Sequence, residues 1–364
     1  MSKLFKTIVS FSLAIAMISC YILFAMAASF EMSAKTTRIA SVGTGSTGCG
    51  AMEGLCVTAT GSNNRLFVVK INAEENKAML YMYEDYTEMD NTNKHCGRFV
   101  LSGFAGHANG LAVDKSYIYI TCWSSKKGQE GQRAQIARIS RRTLWGMYIA
   151  KSGLDKGTIT AQTEGCTILS PVYSNGKAYD RTINAITYYK DGKFIINYPL
   201  TSAEKYYTSS NKVLSFTTAQ IIDGKFTVST SENDIFCVDT GFETSTGQDI
   251  GYGSSNGFFI AQWLGGARNK IIWIRLNSLS GAKRVYTSSN SKYRHINVNK
   301  SSELFVKYEL ESVSIGSDKH LYANVNTAIT EGGNPAYATD AVIKVERTSE
   351  VNGKTQFMGI DIDK

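Results

Sequence analysis

Asn109-Gly110-Leu111-Ala112-Val113, then the turn Asp114-Lys115-Ser116, then Tyr117-Ile118-Tyr119-Ile120, is the stretch that decides the fold. A polar residue stands two places before an apolar one, alternation follows, a short turn interrupts, and a compact β-rich run closes the unit. Alternating strands around Asp, Asn, Gly and Ser turns are the strongest short-range sign of a hairpin. The same unit recurs at Glu53-Gly54-Leu55, leading to Leu66-Phe67-Val68-Val69, and at Asn184-Ala185-Ile186, leading to Phe194-Ile195-Ile196. It appears again at Gln248-Asp249-Ile250 before Phe258-Phe259-Ile260, and at Glu311-Ser312-Val313 before Leu321-Tyr322-Ala323.

The apolar anchors Leu55, Leu111, Ile186, Ile250 and Val313 are spaced 56, 75, 64 and 63 residues apart. Self-similarity at such periods marks a repeat architecture. A second strand pair is expected after each hairpin. In the second unit it is Gln135–Ile139 with Leu144–Tyr148, and in the fourth Lys270–Leu276 with Ala282–Tyr286. Four strands per unit and five units predict an all-β β-propeller of five four-stranded blades. A β-sandwich also has short strands at even spacing, but rarely five copies of one unit. Only the stretch near Thr201 to Tyr207 offers a helical period.

Composition agrees with strands and tight turns: 19% of residues are charged, with 32 Gly and 20 Tyr but only 3 Pro. At the N-terminus, Lys3 and Lys6 precede an uncharged run from Ile8 to Ala28 that ends in Ala25-Met26-Ala27. Basic, apolar and small-x-small parts in that order form a secretory signal. The run is also about long enough to span a bilayer, so an uncleaved signal anchor is the alternative. The chain divides into residues 1–28 as signal, 29–50 as an N-terminal segment, 51–350 as the propeller and 351–364 as a terminal strand or tail. Six cysteines follow the signal. Cys122 and Cys237, inside apolar runs, read as buried free thiols. Cys49 and Cys56 form the most plausible local bridge.

Each unit opens on a polar residue: Glu53, Asn109, Asn184, Gln248 and Glu311. First strands line the channel of a propeller, so these five are expected to ring one of its mouths. If the ring closes, Glu53 and Glu311 become neighbours. Two carboxylates and three amides offer oxygen to a cation, the ligand type calcium takes, and equally to sugar hydroxyls. The alternative is that each caps a strand or bonds the next blade's backbone. His107 stands two places before Asn109 and at period two faces the same way. The segment Lys126–Arg142 is basic, and the formal charge of +8 falls to +6 once Lys3 and Lys6 are removed. That balance favours acidic glycopolymers, a membrane surface or nucleic acid. No G-x-S-x-G, H-E-x-x-H, phosphate-binding loop or dinucleotide fingerprint is present.

Gly106-His107-Ala108-Asn109, with its β run through Trp123, resembles the propeller family of phage receptor-binding and teichoic-acid-associated proteins that includes helveticin-like bacteriocins. Relatives carry a Gly-His-Gly or His-Ala-polar string before an inner strand. They also carry Gln or Asn two places ahead of an apolar residue, as at Asn184 and Gln248. Ala108 stands where many relatives have Gly, and one unit alone has the His. The resemblance implies a five-bladed propeller that binds bacterial cell-surface glycopolymers and, in the helveticin-like branch, kills related bacteria.

The expectation is a secreted or cell-surface monomer that binds an anionic or neutral glycan through His107, Asn109, Asn184, Gln248, Glu53 and Glu311. Calcium is the one cofactor that such a set suits. Nucleic acid is not expected as a partner, and the membrane only through an uncleaved anchor. A glycoside hydrolase or lyase using Glu53, Glu311 or Asp249, and a scaffold for protein partners, are the alternatives.

Overall fold

A computed structural model describes residues 30–32, 36–42, 48–58, 65–84, 96–103, 106–122, 134–199, 213–231, 233–239, 246–253, 257–263, 268–275, 283–284, 294–297, 300–305, 309–316, 320–326, 340–345, 349–351, 354–357 and 360–361. The signal at 1–28 and the helical stretch near Thr201 to Tyr207 lie outside the described residues, as do Trp123, Lys126 and Lys127. No described helix is long and apolar enough to cross a membrane.

The strands form five blades. Blade 1 runs outward through Ala51–Val57, Leu66–Ile71, Ala78–Tyr83 and Cys96–Leu101, with Asp155–Ile159 added in parallel at its rim. Blade 2 holds Leu111–Val113, Tyr117–Cys122, Gln135–Ser140 and Cys166–Leu169. Blade 3 runs through Ile186–Tyr188 and Lys193–Asn197 to the long strand Val213–Ile222. The far side of that strand pairs with Phe236–Asp239 at one end and Lys225–Val228 at the other. Blade 4 holds Thr246–Gly253, Gly257–Trp263, Arg268–Arg275 and Lys300–Phe305, with Phe30–Met32 parallel to the last. Blade 5 holds Glu309–Ile315, Leu321–Asn326 and Asp340–Val345, and its fourth strand is Thr36–Val42. The five apolar anchors Leu55, Leu111, Ile186, Ile250 and Val313 all fall on innermost strands, and these strands touch in cyclic order, with blade 5 against blade 1.

Period-two alternation builds the core. In blade 1, Phe67, Val69 and Ile71 face blade 2, where they meet Leu111, Ile118 and Ile120. Leu66 and Val68 face the opposite way, toward Tyr322 and Val342 of blade 5. Ala112 and Tyr119 of blade 2 pack with Ile186 and Phe194 of blade 3, whose Ile195 and Phe236 pack with Ile250 and Phe258 of blade 4. Each blade is thus apolar on both faces, as the near-continuous burial of its second strand shows.

Three local expectations are corrected. Leu144–Tyr148 is not a strand but part of the helix Arg141–Ala150. Ser140 caps it by accepting from Thr143 N at 3.3 Å. Leu144, Met147 and Tyr148, spaced three and four apart, turn onto the core between blades 1 and 2. The fourth strand of blade 2 is Cys166–Leu169 instead. Lys283–Arg284, within the expected fourth-unit strand, pairs with Arg294–Asn297 in the sheet of blade 3, and Lys300–Phe305 completes blade 4. Cys49 and Cys56 are not bridged. Cys49 belongs to the cluster facing blade 5 and Cys56 to the one facing blade 2, so the sheet of blade 1 separates them. Cys122 and Cys237 are buried and outside any disulfide, as read from sequence.

The inner strands approach so closely that a side chain is excluded at chosen points. A Cβ on Gly110 would sit 2.9 Å from the backbone nitrogen of Ile186 and 2.8 Å from Thr121 Cγ2. Gly110→Ala is therefore expected to destabilise the protein by about 1–3 kcal/mol through overpacking. Denaturant unfolding measures it, and Gly146→Ala, where a Cβ meets nothing within 4 Å, is the control.

Candidate functional site at the axis

The inner strands run in the same direction around the axis. Leu55 N donates to Ser312 Oγ (3.1 Å) and Val57 N to Ser314 Oγ (2.9 Å), so positions advance together from blade 5 to blade 1. Glu53, Asn109, Asn184, Gln248 and Glu311 therefore share one end of the axis. The strands of blades 1, 4 and 5 carry a register shift at this level, between Met52 and Leu55, Gly247 and Ile250, and Leu310 and Ser312. A bulge leaves backbone groups without ladder partners and re-aims the side chains beside it.

Second strands supply several of the missing partners. Asn197 Oδ1 accepts from Asn184 N (2.6 Å) and Ala185 N (2.8 Å). Thr121 Oγ1 accepts from Gly110 N at 2.9 Å, and Asn324 Oδ1 accepts from Ser312 N at 2.5 Å. Asn324 Nδ2 donates to Glu53 O, joining blades 5 and 1. In blade 4, buried Asp249 accepts a hydrogen bond from the Ser312 hydroxyl, and its carboxyl lies near the backbone amides of Ile250 and Ile186. Asp249 thus knits blades 3, 4 and 5 at the centre. Burial holds its carboxyl well above the usual range, against the opposing pull of the Ser312 hydroxyl and the two amides.

Glu53, Asn109 and Glu311 are buried, Asn184 is half-buried, and the side chain of Gln248 lies outside the described residues. Blades 1 and 5 are neighbours, as closure of the ring requires. The Oδ1 atoms of Asn109 and Asn184 are enclosed and accept no hydrogen bond from the described residues.

His107 is partly accessible here, its side chain 32% exposed. Its Nδ1 lies 3.1 Å from Glu75 Oε1, and its Nε2 lies 3.7 Å from Glu53 Oε2, beyond a hydrogen bond but within ion-pair reach. Both carboxylates are buried. The imidazole is held on a sharply turned segment, with Gly106 at φ 93° and Ala108 at φ 53°. Glu75 is also left-handed, at φ 55°, in a turn where Asn72 Oδ1 accepts from Asn76 N and Lys77 N. Gly106 N donates to Glu75 O at 2.9 Å, locking the turn of blade 1 to the His107 segment. Left-handed non-glycine residues cost on the order of 1–3 kcal/mol each and persist where surroundings over-determine them.

Sequence reasoning missed Glu75. It lies in the outer hairpin of blade 1, off the repeated triplet, and no local pattern separates it from the neighbouring Glu74. Among the described residues no three His, Cys, Asp or Glu side chains converge into a metal-holding group. Of the basic segment, Arg138 lies over the Tyr117 ring at 4.8 Å, Arg141 bonds the carbonyls of Asp114 and Lys115, and Arg142 is exposed.

No protein-family model and no curated protein matches the chain. Among solved structures it is similar to a putative oxidoreductase (glucose dehydrogenase) from Thermus thermophilus, at 11% identity and a TM-score of 0.40 over 86% of this chain and 100% of that one. It is similar to the major allergen Mala s 1 of Malassezia sympodialis, at 14% identity and 0.40 over 81% and 78%. A thermostable family-43 glycoside hydrolase matches at 11% identity and 0.41 over 83% and 91%. None of the three is a phage receptor-binding protein or a helveticin-like bacteriocin.

The central acid sets a pH dependence. The folded carboxyl of Asp249 keeps its proton where the unfolded one, near pKa 3.9, has lost it, so its effect on stability worsens as pH rises through that window. As pH rises above about 4, wild type is expected to lose stability more steeply than Asp249→Asn. Denaturation midpoints across that range check it, and equal slopes would refute the assignment.

Proposed function

We propose that the chain is a secreted or cell-surface propeller that binds a cell-surface glycan at the Glu53–His107 end of its axis. The observation that carries this reading is the partly exposed imidazole of His107, held between two buried carboxylates and followed at once by the axial amides. A fixed imidazole and a half-buried carboxamide offer directional donors and acceptors to neighbouring hydroxyls of a sugar. Rigid placement of such groups is what gives a polar ligand specificity. The basic balance of the chain favours a polymer that carries acidic groups, such as teichoic acid. The likeness of Gly106–Asn109 to the teichoic-acid-associated and helveticin-like propellers points the same way.

A second reading is favoured by the same three residues. A carboxylate–imidazole–carboxylate row can relay a proton, with Glu75 orienting His107 and Glu53 facing its other nitrogen. That would make the site a glycoside hydrolase or lyase centre.

Binding of the purified chain to bacterial cell walls separates these readings. His107→Ala combined with Asn184→Ala is expected to weaken binding at least tenfold while the chain keeps the far-ultraviolet circular dichroism of the folded wild type. Binding as tight as wild type would overturn the glycan site. For the enzyme reading, Glu53→Gln is expected to abolish release of soluble sugar from the wall while binding persists. Release at the wild-type rate would remove Glu53 from any catalytic role.

A further inference from the structure

At the opposite end of the axis the inner strands finish around a cavity of about 290 Å³. Four blades wall it: Thr58 from blade 1, Lys115 from blade 2, Thr187, Tyr188 and Tyr189 from blade 3, and Tyr252 from blade 4. The volume lies at the lower end of the range of about 300–1,000 Å³ for small-molecule sites, so it suits one ring.

Its aromatic wall is fixed in place. Tyr189 and Tyr252 meet edge-on, with centroids 5.0 Å apart and planes at 76°. Tyr188 packs edge-on against Phe194, and its hydroxyl accepts from Gly192 N at 3.2 Å. Such rings present flat, weakly polar faces to the C–H side of a sugar. Thr187 is buried beside them, and its hydroxyl has no hydrogen-bond partner among the described residues.

The charge around this mouth is positive. Lys115 is exposed at the rim and has no ion pair among the described residues. Lys190 is exposed, its ammonium 5.0 Å from the centre of the Tyr189 ring. Arg141 bonds the backbone carbonyls of Asp114 and Lys115 at 3.0 and 3.2 Å, adding a third cation. The acid facing them, Asp114, is already engaged: Ser116 N, Tyr117 N and Tyr119 Oη all donate to it at 2.7 Å. Asp191 is the other acid nearby, in the exposed turn after Lys190. An incoming anion therefore meets more positive than negative charge.

We propose that this mouth binds a single sugar ring carrying an anionic group, with the ring against Tyr188, Tyr189 and Tyr252, Thr187 bonding a hydroxyl, and Lys115 and Lys190 meeting the anion. The site is distinct from the His107 end and does not rest on the reading of it. Calorimetry on the purified chain with glucuronate, glucose 6-phosphate and glucose tests the proposal. At least one anionic sugar is expected to bind tenfold or more tightly than glucose. Preference for glucuronate identifies a carboxylate and preference for glucose 6-phosphate a phosphate, and either supports the site. Lys115→Ala with Lys190→Ala, both on exposed side chains, is expected to bring the three sugars within about twofold of one another. Thr187→Val is expected to weaken all three, and Lys225→Ala, at an exposed lysine on the outer strand of blade 3 away from the cavity, to leave them unchanged. No heat with either anionic sugar at millimolar concentration, a preference that survives the double lysine variant, or an equal loss in Lys225→Ala would overturn it.

Discussion

The approach of five inner strands around one axis is the constraint from which the rest of the structure follows. At the second position of each repeated triplet stand Gly54, Gly110, Ala185, Asp249 and Ser312. A Cβ on Gly54 would lie 2.9 Å from Leu111 Cβ and 3.0 Å from the carbonyl oxygens of Ala108 and Asn109. Two residues after Asp249, a Cβ on Gly251 would lie 2.6 Å from Val313 O. Backbones this close cannot be separated by side chains, so they are joined by hydrogen bonds instead. Ser312 does this for blades 4, 5 and 1, donating to Asp249 and accepting from Leu55 N. Buried polar groups in such a place must be satisfied, because each unpaired one costs roughly 1–3 kcal/mol.

The same crowding decides what is left for a ligand. Glu53, Asn109 and Glu311 are drawn into the closed axis, and His107 projects from the segment before it. Its two carboxylate neighbours come from different parts of blade 1, one from the inner strand and one from the outer hairpin. At the other end a cavity opens between the blades, and Tyr188, Tyr189 and Tyr252 line it.

Much of this was legible because repetition amplifies weak local signals. Leu55, Leu111, Ile186, Ile250 and Val313 each sit on an inner strand with the expected partner beside it. Closure of blade 5 on blade 1 followed from the count. Two kinds of feature escaped. Leu144–Tyr148 is too short for its period to separate strand from helix, and the Ser140 cap outside the run decides the matter. Contacts across blades or between distant loops, such as Asp249 with Ser312 or Glu75 with His107, join residues 63 and 32 apart and leave no trace in local pattern. The lack of a Cys49–Cys56 bridge is of the same kind, since nearness in sequence does not reveal opposite faces of one sheet. The tyrosines of the second mouth read as strand residues; only the ring places them on a cavity.

Blade 5 borrows its outer strand from the far end of the chain. Thr36 lies opposite Val345 and Val42 opposite Asp340, so this pairing spans about 300 residues of intervening chain. No local hairpin can nucleate it, and its loop-closure entropy is met only when the other blades already hold the two segments near each other. The ring is therefore expected to shut last in folding, like a belt whose buckle and tongue are at opposite ends. Until it does, Asp340–Val345 presents an open β-edge to any neighbouring chain, and the same strand exchanged between two molecules would give a swapped dimer.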